Sequence, residues 1–170
     1  MPPRAGASRR GRAVREAPRV WRPHDRPPVE TPALVDTHIW IWYLDGTPSV
    51  LSAEAIAWLR RTAGTHGLLV SDMSVWEIGT KAAKGKLSLS PSVSAWIERA
   101  SEQPGFAFAP VDRTTLLAST QLPGAIHGDP VDRILIATAA GAGVPLVTAD
   151  GAIIDYAANT GEVAVYDARP

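Results

Sequence analysis

Short apolar runs alternate with stretches of helical period along the chain from Ala33 to its end. Ala33-Leu34-Val35 stops at Asp36-Thr37, and Ile39, Trp40, Trp42, Tyr43 and Leu44 follow at roughly helical spacing up to an Asp45-Gly46 turn, which predicts a strand and then a helix. Leu51 to Ala63 is apolar on one face with Ser52 placed to cap it, a second helix that ends before Gly67. Leu68-Leu69-Val70 reads as a buried strand. Ser74-Val75-Trp76-Glu77 then opens a third helix to about Lys84, with Ser74 and Glu77 as a capping box and Gly85 as its stop. Ser92 to Ser101 is a further helix, Phe106 to Ala109 a strand, and Thr114 to Thr120 a short helix. Asp129-Pro130 starts the clearest helix, with proline at its first position, through Ile134, Leu135, Ile136 and Ala139 to Gly141. Pro145 to Thr148 is a strand ending at Asp150-Gly151, Ile153 to Ala158 a weak helix, and Val163 to Tyr166 a final strand. This order predicts one α/β domain, residues 33–170, in which helices cover both faces of a five-stranded, mainly parallel sheet in three α/β/α layers.

Residues 1–32 break the pattern. They hold eight arginines and seven prolines against three acids, a net charge of +5, and too few large apolar residues to bury a core. The rest of the chain carries −5, so the overall charge of zero hides an asymmetry. Two readings of this tail stand. It is a disordered basic arm that touches RNA, or it is not translated in the cell, since Val29 lies just before Ala33 and a valine codon can serve as a bacterial start. The prolines argue against the amphipathic helix of an organelle transit peptide. The chain has no cysteine, which excludes disulfides, thiolate zinc sites and cysteine nucleophiles. With no apolar run near the roughly 18 residues of a membrane span and no secretory signal, the expectation is a cytoplasmic protein without a membrane partner.

The chemistry lies in four acids. Asp36, Glu77, Asp132 and Asp150 each stand where a strand gives way to a helix or turn. In parallel sheets such junctions share the carboxyl edge, where the chain leaves the sheet through loops. Asp132 and Asp150 return to the same edge. A helix of about ten residues carries the chain roughly 15 Å away, at about 1.5 Å per residue, and the following strand brings it back at about 3.3 Å per residue. Two carboxylates about 4 Å apart repel by about 4 kcal/mol at an effective dielectric near 20, so four gathered together call for a cation. Oxygen donors suit Mg²⁺ or Mn²⁺ better than zinc, and such a site points to phosphodiester hydrolysis. Singly, each acid has a structural role to hand: Glu77 in the capping box, Asp129, Asp36 and Asp132 at helix starts, Asp150 in a turn. Only the joint pattern carries the inference. No GxxxxGK phosphate loop is present, which argues against ATP or GTP.

The segments Leu34 to His38, Ser74 to Ile78, His127 to Arg133 and Leu146 to Asp150 resemble the PIN-domain ribonucleases, in particular the VapC-type toxins of prokaryotic toxin–antitoxin pairs. The resemblance implies a PIN-like fold and a Mg²⁺- or Mn²⁺-dependent endoribonuclease toxin that arrests translation. It also implies a cognate VapB-like antitoxin and a homodimer. Asp36, Glu77, Asp132 and Asp150 correspond to the family's metal-binding, catalytic acids, and Thr148 to its Ser or Thr beside the last acid. Asp129 is extra to that set, as a further ligand or a helix cap. Arg133 is placed to pair with an acid or to hold phosphate. Lys81, Lys84 and Lys86 follow Glu77, either steering an RNA backbone or solvating a helix end. His38 and His127 read as structural, and the tryptophans as core or contact surface rather than base-stacking platforms. The rival reading is a catalytically silent PIN-like module that binds RNA or protein, its acids serving as caps. A phosphatase with Asp36 as nucleophile lacks the usual Asp-x-Asp.

Overall fold

The computed structural model of the chain describes residues 20–21, 31–47, 49–126 and 128–170. Its strands are β1 (Val20–Trp21), β2 (Ala33–Val35), β3 (Leu68–Ser71), β4 (Phe106–Ala109), β5 (Leu146–Thr148) and β6 (Val165–Asp167). Its helices are α1 (Thr37–Asp45), α2 (Ala53–Thr65), α3 (Asp72–Ala83), α4 (Val93–Ser101), α5 (Arg113–Thr120), α6 (Pro130–Ala142) and α7 (Gly151–Thr160). The strands form one sheet in the order β1-β6-β5-β2-β3-β4, and every pairing is parallel.

Successive strand residues point to opposite faces, and the sequence uses this to build two cores. Ala33 and Val35, Leu68 and Val70, Val147 and Tyr166 face one cluster with Trp40, Trp58, Trp96 and Ile78. Leu34, Leu146 and Val165 face the other, with Leu135, Ile136, Ile153 and Ala157. Helices α1 to α4 therefore line one face, and α6 and α7 the other, with α5 packed on α6. Trp58 stacks flat on Tyr166 with ring centroids 4.7 Å apart. Truncating a buried tryptophan of this kind to alanine costs about 3–5 kcal/mol. Gly105 lets β4 start against α2: a Cβ there would stand 2.6 Å from the Ala63 carbonyl oxygen.

The structure differs from the expected pattern in three places. The sheet has six strands rather than five, because Val20–Trp21 pairs in parallel with β6. Those residues fall within the segment expected to be a disordered tail. They are an apolar pair whose side chains continue the alternation, Trp21 against the first core and Val20 against the second. The expectations for residues 1–19 and 22–30 lie outside the described residues. Helix α3 begins at Asp72 with Ser71 as its N-cap, accepting from the Met73 N–H, so Ser74 caps nothing. Its hydroxyl, buried inside the helix, accepts instead from Thr37 Oγ1 at 2.9 Å and ties α1 to α3. The last strand is shifted to Val165–Asp167.

Candidate metal centre

Asp36 follows β2, and Thr148 and Asp150 close β5, the strand beside it. The two ends are joined directly. Thr148 Oγ1 donates to Asp36 Oδ2 at 2.6 Å and accepts from the Asp150 backbone N–H at 2.9 Å. His38, one residue past the helix start, holds the other side: its Nδ1 lies 3.1 Å from Asp36 Oδ1, and its Nε2 accepts from the Ala149 N–H at 3.1 Å. Asp36 occupies the N-cap position of α1 but makes no side-chain cap bond; both its oxygens face this junction. Burial pushes its carboxyl up, but the bond and charge of His38, the Thr148 hydroxyl and the Thr37 backbone outweigh this and hold it below the ordinary carboxylate value. For His38, burial pushes down, while Asp36 first, then Asp150 and Glu77, raise it overall. The Ala149 bond needs the Nε2 lone pair and favours the neutral ring with its proton on Nδ1.

Glu77 enters from α3. Its side chain is largely buried and lies 2.5 Å from Lys81 Nζ, one turn along the helix. Asp132 enters from the first turn of α6. Burial pushes its carboxyl up, and Asp36, Asp129, Asp150 and Glu77 push it further, to about 7. Carboxylates from four elements therefore lie within electrostatic reach of Asp132.

The remaining expected residues divide. Thr148 is fully buried and makes the bridging contacts its position suggests. Asp129 caps α6, its Oδ1 accepting from Val131 N–H at 2.9 Å, and it also acts on Asp132 and Lys81. Asp150 likewise caps α7, accepting from Ala152 and Ile153 N–H. Arg133 is engaged elsewhere by its Nε, which donates to the Ser119 carbonyl at 2.9 Å and fastens α5 to α6. One step along a helix turns a side chain by about 100°, so Arg133 leaves the face that Asp132 occupies. Lys81 is bound into the acid cluster, whereas Lys84 and Lys86 stand exposed beyond the end of α3. His127 lies outside the described residues. Asp167 is an acid the sequence reading passes over. It ends β6 in register with Thr148 and is gripped by Arg169 through bonds of 2.9 and 2.7 Å. The rule that singles out Asp36 and Asp150, an acid at a strand's carboxyl end, applies to it equally once the last strand is extended by one residue.

Among the described residues, no three His, Asp or Glu side chains are arranged to hold a metal ion as they stand. Much of the oxygen inventory is turned toward internal donors: Asp36 to Thr148 and His38, Glu77 to Lys81, Asp150 to two backbone N–H groups. The donor set nonetheless fits a hard divalent cation. It is made of carboxylate oxygens, and the raised Asp132 marks an excess of negative charge that a cation relieves.

The model of the PIN domain matches residues 33–159. The chain belongs to the PIN-domain family. Within it, ribonuclease VapC22 of Mycobacterium tuberculosis (strain ATCC 25618 / H37Rv) is 30% identical over 122 residues, covering 71% of this chain and 88% of that relative, so this is a VapC-type PIN domain. Solved structures share the fold. VapBC2 from Rickettsia felis, bound to a DNA fragment from its promoter, aligns with a TM-score of 0.59 and 12% identity over 81% of this chain and 99% of that one. FitAcB from Neisseria gonorrhoeae gives a TM-score of 0.55 and 20% identity, over 79% and 96%. The PIN match spans β2 through α7 and so contains all four acids. No helix among the described residues is long and apolar enough to cross a membrane.

Proposed function

We propose that this PIN domain is a metal-dependent endoribonuclease toxin in which Asp36, Glu77, Asp132 and Asp150 hold one or two Mg²⁺ or Mn²⁺ ions. The observation that carries the proposal is the carboxylate excess at the carboxyl edge of the sheet, felt most strongly at Asp132, in a chain 30% identical to a VapC ribonuclease. A divalent cation bound there supplies an activated water and neutralises charge on the scissile phosphate. The protein's own contribution is orientation. Thr148 and His38 fix the Asp36 carboxylate from two sides, and Thr148 fixes the Asp150 backbone with the same oxygen, the kind of support that sets ligand direction and basicity. Lys84 and Lys86, exposed past α3, give the RNA backbone a cationic approach.

The silent-module reading draws on Asp129 and Asp150, which do cap helices. It does not account for Asp36, which makes no side-chain cap bond although it holds the N-cap position of α1, or for Asp132, whose carboxyl the surrounding acids push up. The partners follow the same family logic: a VapB-like antitoxin that covers the site, and a second copy of the chain. Trp76, Leu116 and Leu117 support the homodimer. They are large apolar side chains left exposed on α3 and α5, two helices that pack on α6, and such surfaces mark interaction sites. We place the protein in the cytoplasm, with RNA as substrate. The test is cleavage of total RNA by purified protein with Mn²⁺ or Mg²⁺, compared with Asp36→Asn. Metal-dependent fragments from the wild type only support the proposal. An inert wild type, or an equally active Asp36→Asn, supports the silent module.

A further inference from the structure

We infer that Lys81 is the resident counter-ion of the carboxylate cluster and competes with the divalent metal for Glu77, an inference that rests on the metal-centre reading above. A Glu–Lys pair one turn apart on an exposed helix face is ordinary and contributes little. This pair is not on such a face. The Glu77 side chain is 15% exposed while that of Lys81 is 49% exposed, so a half-exposed lysine places its ammonium on a largely buried carboxylate. Two carboxylates from other parts of the fold, Asp36 after β2 and Asp129 before α6, act on the same ammonium together with Glu77. Lys81 thus pairs with Glu77 and lies within electrostatic reach of two further acids.

The chemistry of the two cations sets the direction of the exchange. An ammonium offers a single charge and only N–H donors, and when it holds Glu77 Oε1 it uses the lone pairs that a metal ion needs. A divalent cation neutralises twice the charge and binds the oxygens directly. When it takes Glu77, the Lys81 head is free to withdraw along its half-exposed stem. It lies in the last turn of α3, where the helix dipole favours a cation. Lys81 therefore stabilises the metal-free fold and weakens metal binding, and the same residue does both.

The experiment is titration of the full chain with Mn²⁺ alone, followed by calorimetry and by electron paramagnetic resonance of the free ion, with metal-free melting temperatures measured alongside. Lys81→Met is expected to bind Mn²⁺ about tenfold more tightly than wild type and to melt at lower temperature without metal, as removal of one screened unit charge from a carboxylate cluster implies. Lys81→Arg, which keeps the charge, is expected to stay within about threefold of wild type. If Lys81→Met does not fold, Lys81→Gln carries the same expectation. A neutral variant that folds and binds Mn²⁺ with equal or lower affinity overturns the inference and leaves Lys81 a structural residue. Glu77→Gln separates the two levels: a wild type that binds Mn²⁺ and a Glu77→Gln that does not uphold the metal centre whatever Lys81 shows. A wild type that binds no Mn²⁺ overturns the metal centre and the competition with it.

Discussion

The two edges of the sheet differ in what they gather. At the carboxyl edge stand Asp36, Glu77, Asp129, Asp132 and Asp150, and the other four all act on the carboxyl of Asp132. At the amino edge, the ends of α5, α6 and α7 line an open pocket of about 740 Å³ with small apolar residues such as Ala118, Ala140, Val144 and Val163, and with Glu162 as its acid. The acids stand at one edge, and the small apolar residues of this pocket at the other. Helix direction accounts for the contrast. In a parallel sheet with helical crossovers, the helices return antiparallel to the strands, so the N-termini of α1, α6 and α7 meet the carboxyl edge and their C-termini the amino edge. Helix N-termini carry partial positive charge and unpaired N–H groups, which lowers the cost of collecting carboxylates on one side only.

The sharpest way to break the contrast is to change one residue on each edge. Asp36→Asn is expected to lower RNA cleavage with Mn²⁺ by about 10³-fold or more, roughly 4 kcal/mol of lost transition-state stabilisation. Val144→Ala in the amino-edge cavity is expected to change the rate by less than about twofold. A cavity variant that abolishes cleavage while remaining folded would contradict the division. Next in size is Thr148→Val, which removes the hydroxyl between Asp36 and the Asp150 N–H. Loss of such an outer contact typically weakens metal affinity by about 10–100-fold, and it leaves a buried acceptor and donor unsatisfied at about 1–3 kcal/mol. Thr148→Ser should retain most of both, as read by Mn²⁺ titration and urea unfolding.

Asp132 gives a pH-dependent prediction. Its carboxyl is raised in the folded state to about 7, so between about pH 4 and 7 the native protein binds more protons than the unfolded chain. Stability of the metal-free protein therefore falls as pH rises through that window. Asp132→Asn removes the penalty. It should unfold at higher temperature than wild type at pH 8, with a gain of about 1–2 kcal/mol after allowance for solvent screening of a partly exposed group, and show no gain at pH 4. A variant less stable than wild type at pH 8 would show that the cluster is not charge-frustrated. The smallest effect is expected next door: Arg133→Ala loses the bond to the Ser119 carbonyl, costing about 1 kcal/mol of stability, and leaves the Mn²⁺ titration unchanged.

Local features were legible in the sequence because their causes are local. Ser52 and Asp129 cap α2 and α6 as their positions predict, since a cap is a contact over two or three residues. The four acids were legible as a group because the strand ends can be counted and all of them face one way. What escaped depends on distant contacts. Ser71 and Ser74 are equally good caps by composition, and only the buried hydrogen bond between Thr37 and Ser74 shows that Ser74 is spent elsewhere. Strand β1 has two residues and no period to read; the open edge of β6 supplies its reason. Arg133 follows Asp132 in sequence, yet its role is set by where α5 ends. Lys81 reads as a helix-surface lysine until Asp36 and Asp129 are brought round to it by the fold.

The most direct measurement is anomalous diffraction at the manganese edge from crystals of the full chain grown with Mn²⁺. The expected result is one peak, or two close together, bounded by Asp36, Glu77, Asp132 and Asp150. A map with no peak at saturating Mn²⁺, or with its peak away from these side chains, would contradict the metal centre on which the ribonuclease reading depends.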